Sequence, residues 1–296
     1  MGCRDARSIV YLPKCHFQVE EDASRLDVHS VNYPQLINQK ELSDWAFLQE
    51  SRGNLPTLIV RLIRMTGRSL SISILDFPDK ELVSKPDFDG LLKVDDEIVD
   101  DKIPSGLSVW ELKTSQESKV TSEANSDFQK RTDRQTEFSK QDSTFVFVTP
   151  QTWNGKRTWI DEKNKEGKWK EVRAYDAVDL LEWLALAPPV MMWLCHQLGK
   201  PNHGVKGIEQ FWSELENCTS PKLKANVFTV GRDPAAEALN LFVKSLGNYT
   251  LLKTTSAQEG LHFLAAWAVL VAPPEERESI ISRTLIIENM PSWRAY

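Results

Sequence analysis

Three residues of this chain combine types and spacing that suit chemistry. Asp89 lies beside a glycine in PDFDG (Pro86–Gly90), and Glu111 and Lys113 stand two apart in VWELKTS (Val109–Ser115). Side chains of an extended strand alternate between faces. Leu107, Val109, Glu111 and Lys113 therefore share one side of that strand, and Ser108, Trp110 and Leu112 share the other. An antiparallel pairing with the preceding strand would bring the Asp89 carboxylate beside Glu111. Two carboxylates with one open side suit Mg²⁺, which prefers oxygen ligands and keeps several waters. A metal held there lowers the pKa of a bound water and polarises a phosphodiester. The lysine two residues on would orient the nucleophile and offset developing charge. Glu-x-Lys is also a common tripeptide, and such pairs on exposed strands serve solubility. Here Val109 and Trp110 make the strand read as buried, and a buried charge must be paired or bind a metal.

The bulk composition fits such a site without requiring it. The chain has 296 residues, 41% apolar and 26% charged, with a formal net charge of −6. That length suggests about two domains of an ordinary globular protein. The negative charge disfavours indiscriminate nucleic-acid binding but leaves room for a local basic groove. Cys3, Cys15, Cys195 and Cys218 form no CxxC pair, and the five histidines form no HExxH. Neither a disulfide framework nor a zinc ribbon is expected, and a reducing cytoplasm is. No apolar run approaches the roughly 18 residues of a membrane span. No GxxxxGK[ST] loop is present to cradle a triphosphate.

The elements that must position these residues read as an α/β layer fold, strands alternating with helices. Residues 1–30 read as an arm. Helical spacing follows through Trp45, Leu48, Leu58, Ile59, Leu62 and Ile63, with Pro56 expected in a first turn. SLSISIL reads as a strand, and residues 87–115 read as two strands joined by a polar turn. A charged helix is expected over 116–138, then a buried strand in STFVFVTP. A strand over Glu171–Tyr175 leads into a helix capped by Asp176. Residues 31–200 form the expected main domain and 201–224 a connector. Residues 225–296 read as a smaller α/β unit, with strands in NVFTVG, YTLLKTT and RTLIIEN and a helix opened by Ser256 and Glu259. With so few strands that unit buries little core, so the chain is expected to be part of something longer.

Cations surround the acid–lysine motif. Lys119, Lys130, Arg131 and Arg134 lie on the helix predicted after it, where they could contact phosphates, or form a solvated face with their acidic neighbours. Lys156 and Arg157 open a stretch running to Arg173 that interleaves cations with Trp159 and Trp169. It reads either as a DNA-facing loop or as a hairpin whose tryptophans pack inward.

PDFDG followed by VWELKTS, with EANSDFQKRTD, the stretch from TFVFVTP to DLLEWL, and APPVMMWLCHQLG, resembles the PD-(D/E)xK nucleases. These are the restriction-endonuclease-like family that includes the Mrr-type enzymes. The resemblance covers residues 35–200 and, more faintly, the rest to Tyr296. It is to the group found at the N-terminus of large bacterial antiphage defence proteins that carry a signal-transducing STAND-type NTPase. It implies a mixed sheet flanked by helices with Asp89 and Glu111 as ligands of Mg²⁺ or Mn²⁺ and Lys113 as the catalytic lysine. Asp87 stays open as the alternative first ligand, and Glu50, in the first long helix, as an additional acid. The implied activity is endonucleolytic cleavage of DNA, double-stranded by expectation. Homo-oligomerisation would drive it, and an NTPase or sensor region of the same full-length protein would control it. The alternative is a catalytically silent nucleic-acid-binding or assembly module on the same fold.

Overall fold

The computed structural model describes residues 36–48, 51–78, 88–97, 101–201, 204–244 and 252–288. The chain divides into two compact units, with the boundary between Leu194 and Cys195.

The first unit is α/β. Two helices open it, α1 (Gln39–Ala46), capped by Asn38, and α2 (Ser51–Thr66). Pro56 lies inside α2, not in its first turn as expected, because the helix begins five residues earlier at Ser51. Leu58, Ile59, Leu62 and Ile63 form its buried stripe. Five strands follow: β1 (Ile72–Asp76), β2 (Gly90–Val94), β3 (Gly106–Leu112), β4 (Ser143–Val148) and β5 (Glu171–Tyr175). They form one sheet in chain order, β1-β2-β3 antiparallel and β3-β4-β5 parallel. Among the helices of this unit, α3 (Val120–Asp133) connects β3 to β4, and α4 (Lys156–Lys165) connects β4 to β5. After β5 come α5 (Ala177–Ala185) and α6 (Pro188–Gln197), which contains the unit boundary.

The sheet's central position explains its composition. β4 lies between two strands and is buried along its whole length, so STFVFV is apolar at successive positions rather than alternating. On one face of β3, Trp110 packs between Phe77 and Tyr175, with ring centroids 5.7 and 5.9 Å away. On the other, Val109 joins Phe145, Phe147, Val120, Ala124 and Phe128 in a core completed by Trp153, Trp159 and Trp169. Two glycines are required where they stand. Gly106 enters β3 at φ 75°, a conformation other residues resist. A Cβ at Gly90 would collide with the Phe77 ring.

The second unit, described from Cys195, is mainly helical. The expected connector 201–224 holds β6 (Val205–Gly207) and α7 (Ile208–Glu216). Ile208, Phe211 and Trp212 of α7 belong to the core of this unit, so the segment is structural rather than linking. NVFTVG forms the short α8 (Asn226–Thr229), not a strand. Phe228 is its single anchor, 6.2 Å from Trp212 and 5.1 Å from His262 between ring centroids, while Val227 and Val230 are exposed. A strand would need alternate residues buried along one face. Of YTLLKTT, Leu252–Thr254 are not strand and Tyr249–Leu251 lie outside the described residues. The remaining helices are α9 (Asp233–Lys244), α10 (Ala257–Ala266) and α11 (Pro274–Arg283). Ser256 caps α10 by accepting from Glu259 N at 3.1 Å, whereas Glu259 itself turns to Thr255 and Arg232. β7 (Leu285–Ile287), within the expected RTLIIEN strand, pairs antiparallel with β6. Among the described residues no helix is long and apolar enough to cross a membrane.

Candidate active site

The register of the sheet brings the predicted acids together. Gly90 of β2 pairs with Trp110 of β3, so Asp89 and Glu111 are the next residues of each strand beyond that pair. Asp89 is fixed by its backbone neighbour, its Oδ2 accepting from Leu112 N at 2.9 Å. Glu111 is fully buried in β3. Lys113 follows the last β3 residue, and its N–H donates to Val148 O at 2.9 Å, extending the ladder with β4. Its Nζ lies 3.3 Å from Asp89 Oδ2 and 3.8 Å from Glu111 Oε2. The site therefore sits at the carboxyl ends of the parallel strands, the usual ligand side of an open α/β sheet.

Two further charges come from α3. Asp127 Oδ2 is buried and pairs with Lys113 Nζ at 3.1 Å. Arg131 grips Glu111 with two N–H groups, Nε to Oε1 and Nη2 to Oε2, the latter at 3.1 Å. The sequence holds a signal for both residues. Val120, Ala124 and Phe128 mark a helical apolar stripe, and Asp127 and Arg131 fall on it, turning with the buried face. The charged, exposed helix expected there is correct for its other face only.

α3 is held in place by tryptophan. Trp153, Trp159 and Trp169 are all buried, and their indole N–H groups donate to Thr121, Asn125 and Thr132 of α3 at 2.8, 3.0 and 2.9 Å. A buried indole needs such a partner. Trp159 and Trp169 thus pack inward, and the segment expected as a loop or hairpin begins as helix α4. Lys140 adds a cap, its Nζ donating to the carbonyl oxygens of Thr132, at 2.6 Å, and Arg134. The side chains of Trp153, Trp159, Trp169 and Lys140 lock the helix that carries Asp127 and Arg131.

The electrostatics follow from burial. Burial pushes the Glu111 carboxyl up to about 7, against the downward pull of the Arg131 hydrogen bonds. Burial draws the Lys113 ammonium down, but Asp89, Asp127 and Glu111 outweigh it and hold its pKa above the ordinary value. Lys113 is therefore protonated at neutral pH.

The cations predicted to meet phosphate divide into two groups. Lys119, Lys130 and Arg157 are exposed. Arg131 is instead buried on Glu111, and Lys156 is held by Asp176 at 2.8 Å and by Asp179. In both, the cation neutralises a buried or half-buried acid. Glu50 and Asp87 lie outside the described residues. Next to the site, a cavity of about 510 Å³ is lined by Ala46, Phe47, Leu48, Thr114, Ser115, Gln116 and Lys119.

Among the described residues no group of three or more His, Cys, Asp or Glu side chains is arranged to hold a metal. The donor types of Asp89, Glu111 and Asp127 nonetheless fit a hard cation that retains waters. In this arrangement Lys113 and Arg131 occupy the positions of positive charge. Comparison of the chain with protein-family models, with curated proteins and with solved structures finds no match.

Proposed function

We propose that the chain is a metal-dependent endodeoxyribonuclease. The observation that carries this reading is the meeting of Asp89, Glu111 and Lys113, from two paired strands, at the carboxyl end of the sheet. Asp89 and Glu111, with Asp127 beside Lys113, are the residues that would hold Mg²⁺ or Mn²⁺. Such an ion would supply an activated water and a polarised phosphodiester. Lys113, a protonated ammonium among carboxylates, does not take the proton of that water. It orients the attacking oxygen and offsets the charge that develops on phosphate. Lys119, Lys130 and Arg157 are the exposed cations for backbone phosphates. The proposed role, as the cytoplasmic effector of an antiphage defence protein activated by homo-oligomerisation through an NTPase or sensor region, rests on the sequence resemblance alone.

A second reading, the catalytically silent nucleic-acid-binding or assembly module, is favoured by one observation: Arg131 bonds both Glu111 oxygens. Supercoiled plasmid incubated with the chain in Mg²⁺, Mn²⁺ or EDTA tests the choice. Nicking or linearisation that EDTA stops is expected, in dilute solution or once the chain is fused to an oligomerising segment. Cutting that survives EDTA would sink the metal reading, and no cutting in either form would leave the silent module.

A further inference from the structure

Arg131 is an unusual neighbour for a metal ligand. Its side chain is 7% exposed, and its guanidinium carbon lies 5.1 Å from the centre of the Phe88 ring. Two of its N–H groups bond Glu111, while Nη1 is buried without a hydrogen-bond partner. A bidentate arginine–carboxylate pair is among the stronger side-chain interactions, and its planar geometry consumes both oxygens at once. Glu111 is fully buried, so nothing else on its surface is left to offer an ion. A divalent cation and Arg131 therefore compete for the same carboxylate. When a binding-competent state is a minor one, apparent affinity falls by its population.

Asp89 Oδ2 takes the Leu112 N–H and Lys113 Nζ, but the side chains of Asp89 and Lys113 are 38% and 30% exposed, so the rim of the site is open while its deepest ligand is covered. The two N–H groups that leave Glu111 need an acceptor, and Nη1 already lacks one. A phosphodiester offers two non-bridging oxygens to a guanidinium, in the bidentate geometry that the carboxylate gives up.

We infer that Arg131 is a latch on the metal site, holding Glu111 until a divalent cation and a substrate phosphate arrive and share out its two partners. The inference rests on the reading of Asp89 and Glu111 as metal ligands. It makes Arg131 a positioning residue that sets the metal requirement. Metal and phosphate then bind with positive coupling, each releasing the group the other needs.

The test is Mn²⁺ titration of the full chain by calorimetry, without nucleic acid, in wild type, Arg131→Lys, Arg131→Met and Glu111→Gln. The latch predicts Mn²⁺ binding about tenfold or more tighter in Arg131→Met, where the binding-competent state is no longer a minor one. A smaller gain is expected in Arg131→Lys, and loss of binding in Glu111→Gln. Should Arg131→Met fail to give a cooperative melt, Arg131→Lys decides, since its ammonium cannot form the fork. Unchanged Mn²⁺ affinity in the folded Arg131 variants, with Glu111→Gln still losing the ion, overturns the latch and leaves the metal site standing. No Mn²⁺ binding by any of the four proteins overturns both.

Discussion

Among the described residues of the first unit are two clusters of buried or half-buried charge, each with one lysine between acids. At the start of α5, Lys156 lies between Asp176 and Asp179. At the end of β3, Lys113 lies among Asp89, Glu111 and Asp127. The acids of the first cluster serve the backbone. Asp176 accepts from Val178 N, Asp179 N and Trp153 N at 3.1, 3.4 and 3.3 Å, and Asp179 accepts from Asp176 N at 2.9 Å. Together they form the capping box of α5, and Lys156 neutralises them. Among the described residues, Asp89 in the second cluster meets a backbone N–H, that of Leu112, while Glu111 and Asp127 face side-chain cations. Burial of charge therefore does not by itself mark a functional site. Acids committed to N–H groups of the fold cannot change partner without cost, whereas acids held by flexible cations can exchange them for an ion.

The comparison breaks first on activity. Asp89→Asn or Glu111→Gln is expected to lower the initial rate of plasmid nicking by about 10²–10³-fold, the scale of losing a charge-stabilising group. Retained rates would place the chemistry elsewhere. Asp176→Ala should do the reverse. Urea unfolding should show a loss of about 1–2 kcal/mol, that of an N-cap aspartate, while the nicking rate per folded molecule stays at wild type.

The two clusters also differ in sign against pH. Glu111's folded pKa of about 7 lies above its ordinary 4.5, so its contribution is fully present below pH 4.5 and lost as pH rises to about 7. For Asp176, burial is outweighed by Lys156 and the α5 N–H groups, which hold its carboxyl below the ordinary 3.8. Its contribution is present above pH 3.8 and lost as pH falls below that. Melting temperatures of the metal-free protein should therefore lose their downward limb in Glu111→Gln and their acid limb in Asp176→Asn. Identical pH profiles in both variants and wild type would remove this distinction. The smallest effect is expected at the rim. Lys119→Ala should raise KM for duplex a few-fold and reduce the salt slope of binding by about 1, as for loss of one phosphate contact.

Much of the sheet that carries the site was legible. Alternation placed Glu111 and Lys113 on one face of β3, and two consecutive strands around a polar turn implied the antiparallel pairing that sets Asp89 beside Glu111. Asp127 was not legible by the same means, because a count of charges over 116–138 hides the stripe formed by Val120, Ala124 and Phe128. The tryptophans misled for a related reason. Trp159 and Trp169 among cations match a stacking surface in composition, yet acceptors on α3 turn them inward. In the second unit, short apolar runs such as NVFTVG fit a strand or one helical turn equally well, and packing against Trp212 and His262 decided for the turn. Pairings within a strand ladder are periodic and local, whereas charge partners drawn from a packed helix depend on tertiary contacts.

The most direct measurement is plasmid nicking in Mn²⁺ by Lys113→Ala against wild type, at matched folded concentration and in whichever assembly state the wild type is active. Lys113 touches all three acids of the cluster, and its backbone bond to Val148 O runs through an N–H that alanine keeps. The account predicts a folded variant, judged by a cooperative melt, whose cleavage has fallen by at least about 10²-fold. A folded Lys113→Ala that cuts at the wild-type rate would contradict it.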